Sequence, residues 1–92
     1  MKSIWKYTLK IDDRQEVRMP IGAKALTVQV QGATPCLWAM VDTEEKIMGL
    51  YPVWMHGTGH PADEAALAGR YVSTIQVQGG ALIFHFFIGN GA

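Results

Sequence analysis

One cysteine, Cys36, is too few for an internal disulfide in a chain of 92 residues. That excludes a disulfide-built secreted domain and makes a reducing cytosol the expected compartment. Charge is scarce too: Asp, Glu, Lys and Arg make up 17%, and eight basic residues cancel eight acidic ones. A chain without net charge has no electrostatic footprint for DNA, RNA or an anionic membrane, so neither nucleic acid nor membrane is an expected partner. Residues 1–6 carry no uninterrupted apolar stretch, and no signal peptide is expected. The longest apolar run, 81–88, is broken by His85 and falls far short of the ~20 residues a membrane helix needs. Long helical periodicity is also missing, and with it the helices that would flank a parallel sheet.

The period that is present is two. Trp5, Tyr7, Leu9 and Ile11 alternate with Lys6, Thr8 and Lys10. Val17 and Met19, then Leu26, Val28 and Val30, repeat the pattern, as do Tyr71, Ser73, Ile75 and Val77. Such alternation marks half-buried strands. Segments 36–41 and 82–88 are apolar on both faces and read as strands covered on two sides. Gly49 and Pro52 interrupt 46–56, which predicts an edge, a bulge or two short pieces there. The one plausible helix lies in 62–69, capped by Asp63 and ended by Gly69. Gly79 and Gly80 predict a two-residue hairpin turn. About seven short strands with at most one short helix define an all-β chain, a small antiparallel β-sandwich or partly open barrel. Residues 1–92 are expected to form a single domain.

Val28-Gln29-Val30-Gln31-Gly32 recurs as Ile75-Gln76-Val77-Gln78-Gly79. Two similar hairpins, one in each half, are the expectation, either by duplication or because alternating Val and Gln is a common strand solution.

The blocks Trp5-Lys6-Tyr7, Pro20-Ile21-Gly22-Ala23, Leu37-Trp38-Ala39-Met40-Val41-Asp42, Gly57-Thr58-Gly59-His60 and Phe84-His85-Phe86-Phe87 together resemble a family of small phage- and prophage-encoded proteins of unknown function. The resemblance runs from Trp5 to about Phe87. It implies a small all-β fold, a mobile-element origin and expression in the host bacterial cytosol, and it supplies no catalytic residues.

The richest chemistry lies at His56-Gly57-Thr58-Gly59-His60, with His85 on a later strand. Glycines let a ligand approach the backbone, and a hydroxyl adds one hydrogen bond, so this loop is the candidate ligand-binding site for a nucleotide or anion. It lacks the Lys-Ser/Thr ending of a P-loop and is not a dinucleotide fingerprint. Two histidines four apart suit zinc on a helix, which these glycines and Pro61 disfavour; a metal-dependent hydrolase using His56, His60 and Asp63 is the second alternative. No catalytic residues, metal ligands or cofactors are assigned. The apolar surplus points instead to an interface, with Trp38, Tyr51, Trp54, Phe84 and Phe87 as candidates. The leading expectation is a non-enzymatic interaction module. It would form a homo-oligomer, most simply a dimer, and bind an unidentified host or phage macromolecule.

Overall fold

The computed structural model describes residues 1–91. Seven strands form: β1 (Lys2–Thr8), β2 (Arg14–Pro20), β3 (Lys24–Gln31), β4 (Thr34–Asp42), β5 (Met48–Gly57), β6 (Arg70–Val77) and β7 (Leu82–Ile88). One short helix, α1 (Glu64–Leu67), lies between β5 and β6. The strands make two antiparallel sheets, ordered β1-β4-β3 and β2-β5-β7-β6. They remain separate sheets, so the architecture is a sandwich and not a barrel. No helix among the described residues is long and apolar enough to cross a membrane.

Period two decides what is inside. Leu37, Ala39 and Val41 of β4 meet Tyr51, Val53 and Met55 of β5 and Phe86 and Ile88 of β7 in one buried cluster. The opposite faces of the same strands stay only partly covered. Trp38 and Met40 lie half-buried outside β4, and Ile83, His85 and Phe87 half-buried outside β7. Both strands are therefore apolar on two sides, as their sequences predict. Cys36 is buried and free, its thiol directed at the Thr34 carbonyl.

Tyr51 and Trp54, both candidate interface residues, are buried, and Phe84 is half-buried against the core. Tyr51 is 6% exposed. Its hydroxyl donates to the Pro20 carbonyl (2.8 Å) and accepts from the Ala23 N–H (3.2 Å), clamping the turn after β2. Phe84 packs against the buried cluster. Neither Tyr51 nor Phe84 is available to a partner on an outer face, and alternation is the reason. On a regular strand, residues three apart face opposite ways, so Tyr51 opposes Trp54 and Phe84 opposes Phe87.

The β5 region also departs from expectation. Despite Gly49 and Pro52, it is one continuous ten-residue strand between β2 and β7. Pro52 is tolerated because it pairs with Glu16 on β2 and lies one residue beyond the last β5–β7 register pair, Val53 with Ile88. The donor it lacks would have pointed past the end of β7; its carbonyl still accepts from the Gly89 N–H (2.9 Å). The short helix forms where expected, with the Asp63 carboxylate accepting from Ala65 N–H at 2.9 Å. The last hairpin differs from the expected two-residue turn: Val77 pairs with Leu82, so residues 78–81 form the loop, with Gln78 (φ 53°), Gly79 (φ 66°) and Gly80 (φ 92°) all in the left-handed region.

The repeated pentapeptide corresponds to a repeated structure. One residue offset carries the β3–β4 pairs Val28–Leu37 and Gln29–Cys36 onto the β6–β7 pairs Ile75–Phe84 and Gln76–Ile83. The pattern β1-β4-β3 in one sheet is matched by β5-β7-β6 in the other. The two copies meet edge to edge. Both β3 and β6 carry a register shift, at Ala25/Thr27 and Tyr71/Ser73. There the buried Ser73 hydroxyl accepts from Val28 N–H (2.8 Å) and bonds the Thr27 hydroxyl (3.1 Å). The Arg70 guanidinium donates to the Ala25 carbonyl alongside.

Ser73→Ala leaves the buried Val28 N–H without a partner. It is expected to cost about 1–3 kcal/mol, seen as a lower urea midpoint with unchanged slope. At the far end of the first sheet, the Glu44 N–H and the terminal amine hold the Asp42 carboxyl below its ordinary range, against a smaller opposing effect of desolvation. A carboxyl whose folded pKa is depressed stabilises above the unfolded pKa, and that contribution fades as pH falls through the folded value. Asp42→Asn is expected to lower stability at neutral pH, where the carboxylate contributes, and to converge with the wild type in acid, so that the acid limb of its stability-versus-pH curve is flatter.

Candidate functional site

The 57–60 segment is a tight turn. His60 N–H donates to the Gly57 carbonyl (3.1 Å), and Gly59 supplies the positive φ (+83°) that its third position requires. Thr58 N–H is held by the Ile83 carbonyl (3.3 Å), and the Thr58 hydroxyl by His85 Nε2 (2.7 Å). Two amides and the hydroxyl of the loop are thus already engaged within the protein, which leaves a poor cradle for a phosphate. The His60 ring lies across Gly57: a Cβ there would sit 2.7 Å from His60 Nδ1.

The three histidines have different surroundings. His85 is bonded on both ring nitrogens, Nε2 to Thr58 and Nδ1 to the Thr74 hydroxyl (2.9 Å). Thr74 in turn bonds the Tyr71 hydroxyl (2.6 Å). Thr58, His85 and Thr74 trace the outline of a nucleophile, base and orienting group. The third member is a neutral hydroxyl, so no carboxylate supports an imidazolium, and the Thr58 amide is not free to stabilise an oxyanion. Among the described residues, no group of three or more His, Cys, Asp and Glu side chains gathers as a metal would require.

His56 stands beside His85 in the register of β5 and β7 and faces the Phe87 ring at 6.2 Å between centroids. Its Nε2 is buried and has no hydrogen-bond partner. The same holds for Trp54 Nε1, on a residue only 7% exposed. While the two nitrogens themselves have essentially no exposed surface, other atoms of Trp54 and His56 line one recess of about 480 Å³ between β5 and the segment around His60, Pro61 and Asp63. Arg14 roofs it, its guanidinium carbon 5.8 Å from the centre of the Trp54 ring.

The outer face of the four-stranded sheet thereby gains an ordered row. Arg14 pairs with Trp54, Trp54 with Phe87, and Phe87 with Tyr71, so the row crosses β2, β5, β7 and β6. Tyr71 meets Phe87 edge to face, with centroids 5.6 Å apart. Trp54 and Phe87, both candidates from the sequence, are neighbours here. Trp38 lies on the outer face of the other sheet and does not join them. A larger cleft of about 680 Å³ opens between the tips of the two matching hairpins, lined by Val30, Val77, Leu82 and Phe84 and by no charged side chain.

Sequence reasoning finds His56 and His60 but misses Arg14 as their neighbour. The signal was weak: Arg14 stands beside Asp12 and Asp13 and reads as an ordinary turn charge.

A small all-β sandwich with an aromatic outer face is the class this geometry defines. Residues 1–91 match the family described as Domain of unknown function (DUF7352), and the chain belongs to it. No curated protein and no solved structure matches the chain.

Thr74→Val removes the hydroxyl that joins Tyr71 to His85. The expected cost is roughly 0.5–1.5 kcal/mol, about 4–8 °C in Tm per kcal/mol for a domain of this size. The ¹⁵N shift of His85 Nδ1 is expected to move while that of His56 does not.

Proposed function

We propose that the chain is a non-enzymatic binding module that works through the outer face of its four-stranded sheet. The carrying observation is the row Arg14–Trp54–Phe87–Tyr71, which crosses every strand of that sheet. Tyr71 is 51% exposed and Leu50, on the same face, 48%. Trp, Tyr and Arg are the residue types that dominate binding energy at interfaces. Arg14, Tyr71 and Leu50 are exposed on this face, with Phe87 half-buried and Trp54 only 7% exposed beneath them; an exposed apolar rim supports recognition.

The first partner is a second copy of the chain. A face that crosses a whole sheet suits a two-fold contact in which each row lies on its counterpart. The engaged Thr58 and His85, which lack an acid partner and an oxyanion donor, favour binding over turnover. A role as a phage or prophage accessory protein in the bacterial cytosol, acting on a host or phage macromolecule, draws its support from the sequence resemblance alone.

Leu50→Glu combined with Tyr71→Glu places one charge on the row and one beside it on the same face, both at exposed positions. Light scattering at micromolar concentration is expected to show a dimer for the wild type and a particle of half that mass for the double variant. A wild-type monomer, or a variant that stays dimeric, overturns the two-fold contact. Turnover of any substrate that Thr58→Val abolishes overturns the non-enzymatic reading.

A further inference from the structure

We propose that the cleft between the two matching hairpin tips binds a small uncharged molecule with an aliphatic chain. No residue of the aromatic row lines this cleft, so the site is separate from the binding face described above.

The doubled pentapeptide builds the cleft. Val30 and Gly32 of the first copy correspond to Val77 and Gly79 of the second, and all four line it. Ala33 and Gly80 follow in the two turns and line it as well. A Cβ added at Gly32 or Gly79 would meet no atom within 4 Å, so open space lies beside both tips.

The core continues into this opening. Val30, Val77 and Phe84 pack against the buried cluster but are themselves only half-buried. Ile11 and Leu82, 51% and 41% exposed, stand at the rim. Removing such apolar surface from water is favourable in proportion to its area.

The lining specifies what fits. It contains no Lys, Arg, His, Asp or Glu, so a charged group would lose hydration with no opposite charge in return. Water against the branched side chains of Ile11, Val30, Val77 and Leu82 finds few hydrogen-bond partners, whereas an alkyl chain gains dispersion contacts with each. The Gln76 and Gln78 amides offer a donor and an acceptor to one hydroxyl or carbonyl of the ligand. A volume of about 680 Å³ falls within the ~300–1,000 Å³ of small-molecule sites.

The two copies differ where the cleft is bounded. Gln78 is the one non-glycine residue with positive φ (53°) among the described residues, and it belongs to the lining. Its counterpart Gln31 is ordinary strand at the end of β3. Left-handed backbone at a non-glycine residue is unfavourable, and such residues cluster at ligand clamps.

1-Butanol, 1-hexanol and 1-octanol are titrated into the full chain, and the methyl peaks of a ¹³C-labelled sample are followed. Saturable shifts are expected at Val30, Val77 and Leu82, with the buried Val41 and Val53 unmoved. Affinity is expected to rise about fourfold per added methylene. Octanoate and octylammonium are expected to bind less tightly than 1-octanol. Ile11→Ser with Leu82→Ser, both at exposed positions, is expected to weaken 1-octanol binding about tenfold while the Val41 and Val53 peaks report an intact fold. The Leu50→Glu, Tyr71→Glu variant is expected to bind 1-octanol as the wild type does, and a loss there overturns the assignment to this cleft.

No saturable shift at Val30 and Val77 with any of the alcohols overturns the proposal. So does an affinity independent of chain length, or tighter binding of either charged probe. Val30 and Val77 peaks that move on dilution of the protein alone assign the cleft to a second copy and overturn it as well.

Discussion

The arrangement depends on one seam. Two sheets of three and four strands would leave four open edges, and β3 and β6 lie edge to edge without a backbone ladder between them. Ser73 replaces the ladder. Its hydroxyl takes the Val28 N–H and the Thr27 hydroxyl, while Arg70 reaches the Ala25 carbonyl. Buried backbone groups must find partners, and the register shifts in both strands create the groups that these side chains satisfy. Because the joined strands belong to the two matching hairpins, the seam also fixes how the two halves face each other.

With β3 and β6 sealed, the exposed edges are β1 and β2. Both carry alternating charge: Lys2 and Lys6 on the first, Arg14, Glu16 and Arg18 on the second. Charged side chains on an edge discourage pairing with another chain. Association by strand addition is thereby disfavoured. Of the sheet faces, the more aromatic belongs to the four-stranded sheet. Arg14 connects these roles, since it stands on the β2 edge and lies over the Trp54 ring.

Much of the fold was legible because period two is a strong signal over short spans. The strands around Val28, Ile75 and Phe86 follow from it, the short helix from its Asp63 cap and the doubled hairpin from the repeated pentapeptide. The same rule, applied strictly, would have separated Tyr51 from Trp54 and Phe84 from Phe87; grouping them as one surface ignored parity. Pro52 misled because its effect depends on where the neighbouring strand stops, which is a tertiary fact. The site was legible only in part. Histidines and glycines mark the 56–60 segment, but whether an amide or hydroxyl is free depends on what packs against it. Thr58 and His85 are 27 residues apart and satisfy each other. No local pattern announces that, nor that two other ring nitrogens nearby are left without partners.

Those two atoms set packing against polarity at this face. A buried aromatic side chain removes ~150–250 Å² from water, worth roughly 4–6 kcal/mol at ~25 cal/mol per Å². That burial stabilises Trp54 against Pro52 and Gly89 whatever the ring's polarity. A phenylalanine would retain most of it without a donor to satisfy. An unmatched indole N–H costs about 1–3 kcal/mol, so the nitrogen subtracts from stability while the carbon skeleton supplies it. The same holds on a smaller scale for His56, where a leucine would cover Phe87 as well. Both polar atoms are buried without a partner in the protein and are unfavourable for folding, whereas His85, a strand away, has each nitrogen answered by a hydroxyl. Packing accounts for His85 in full. It does not account for the two nitrogens beside it.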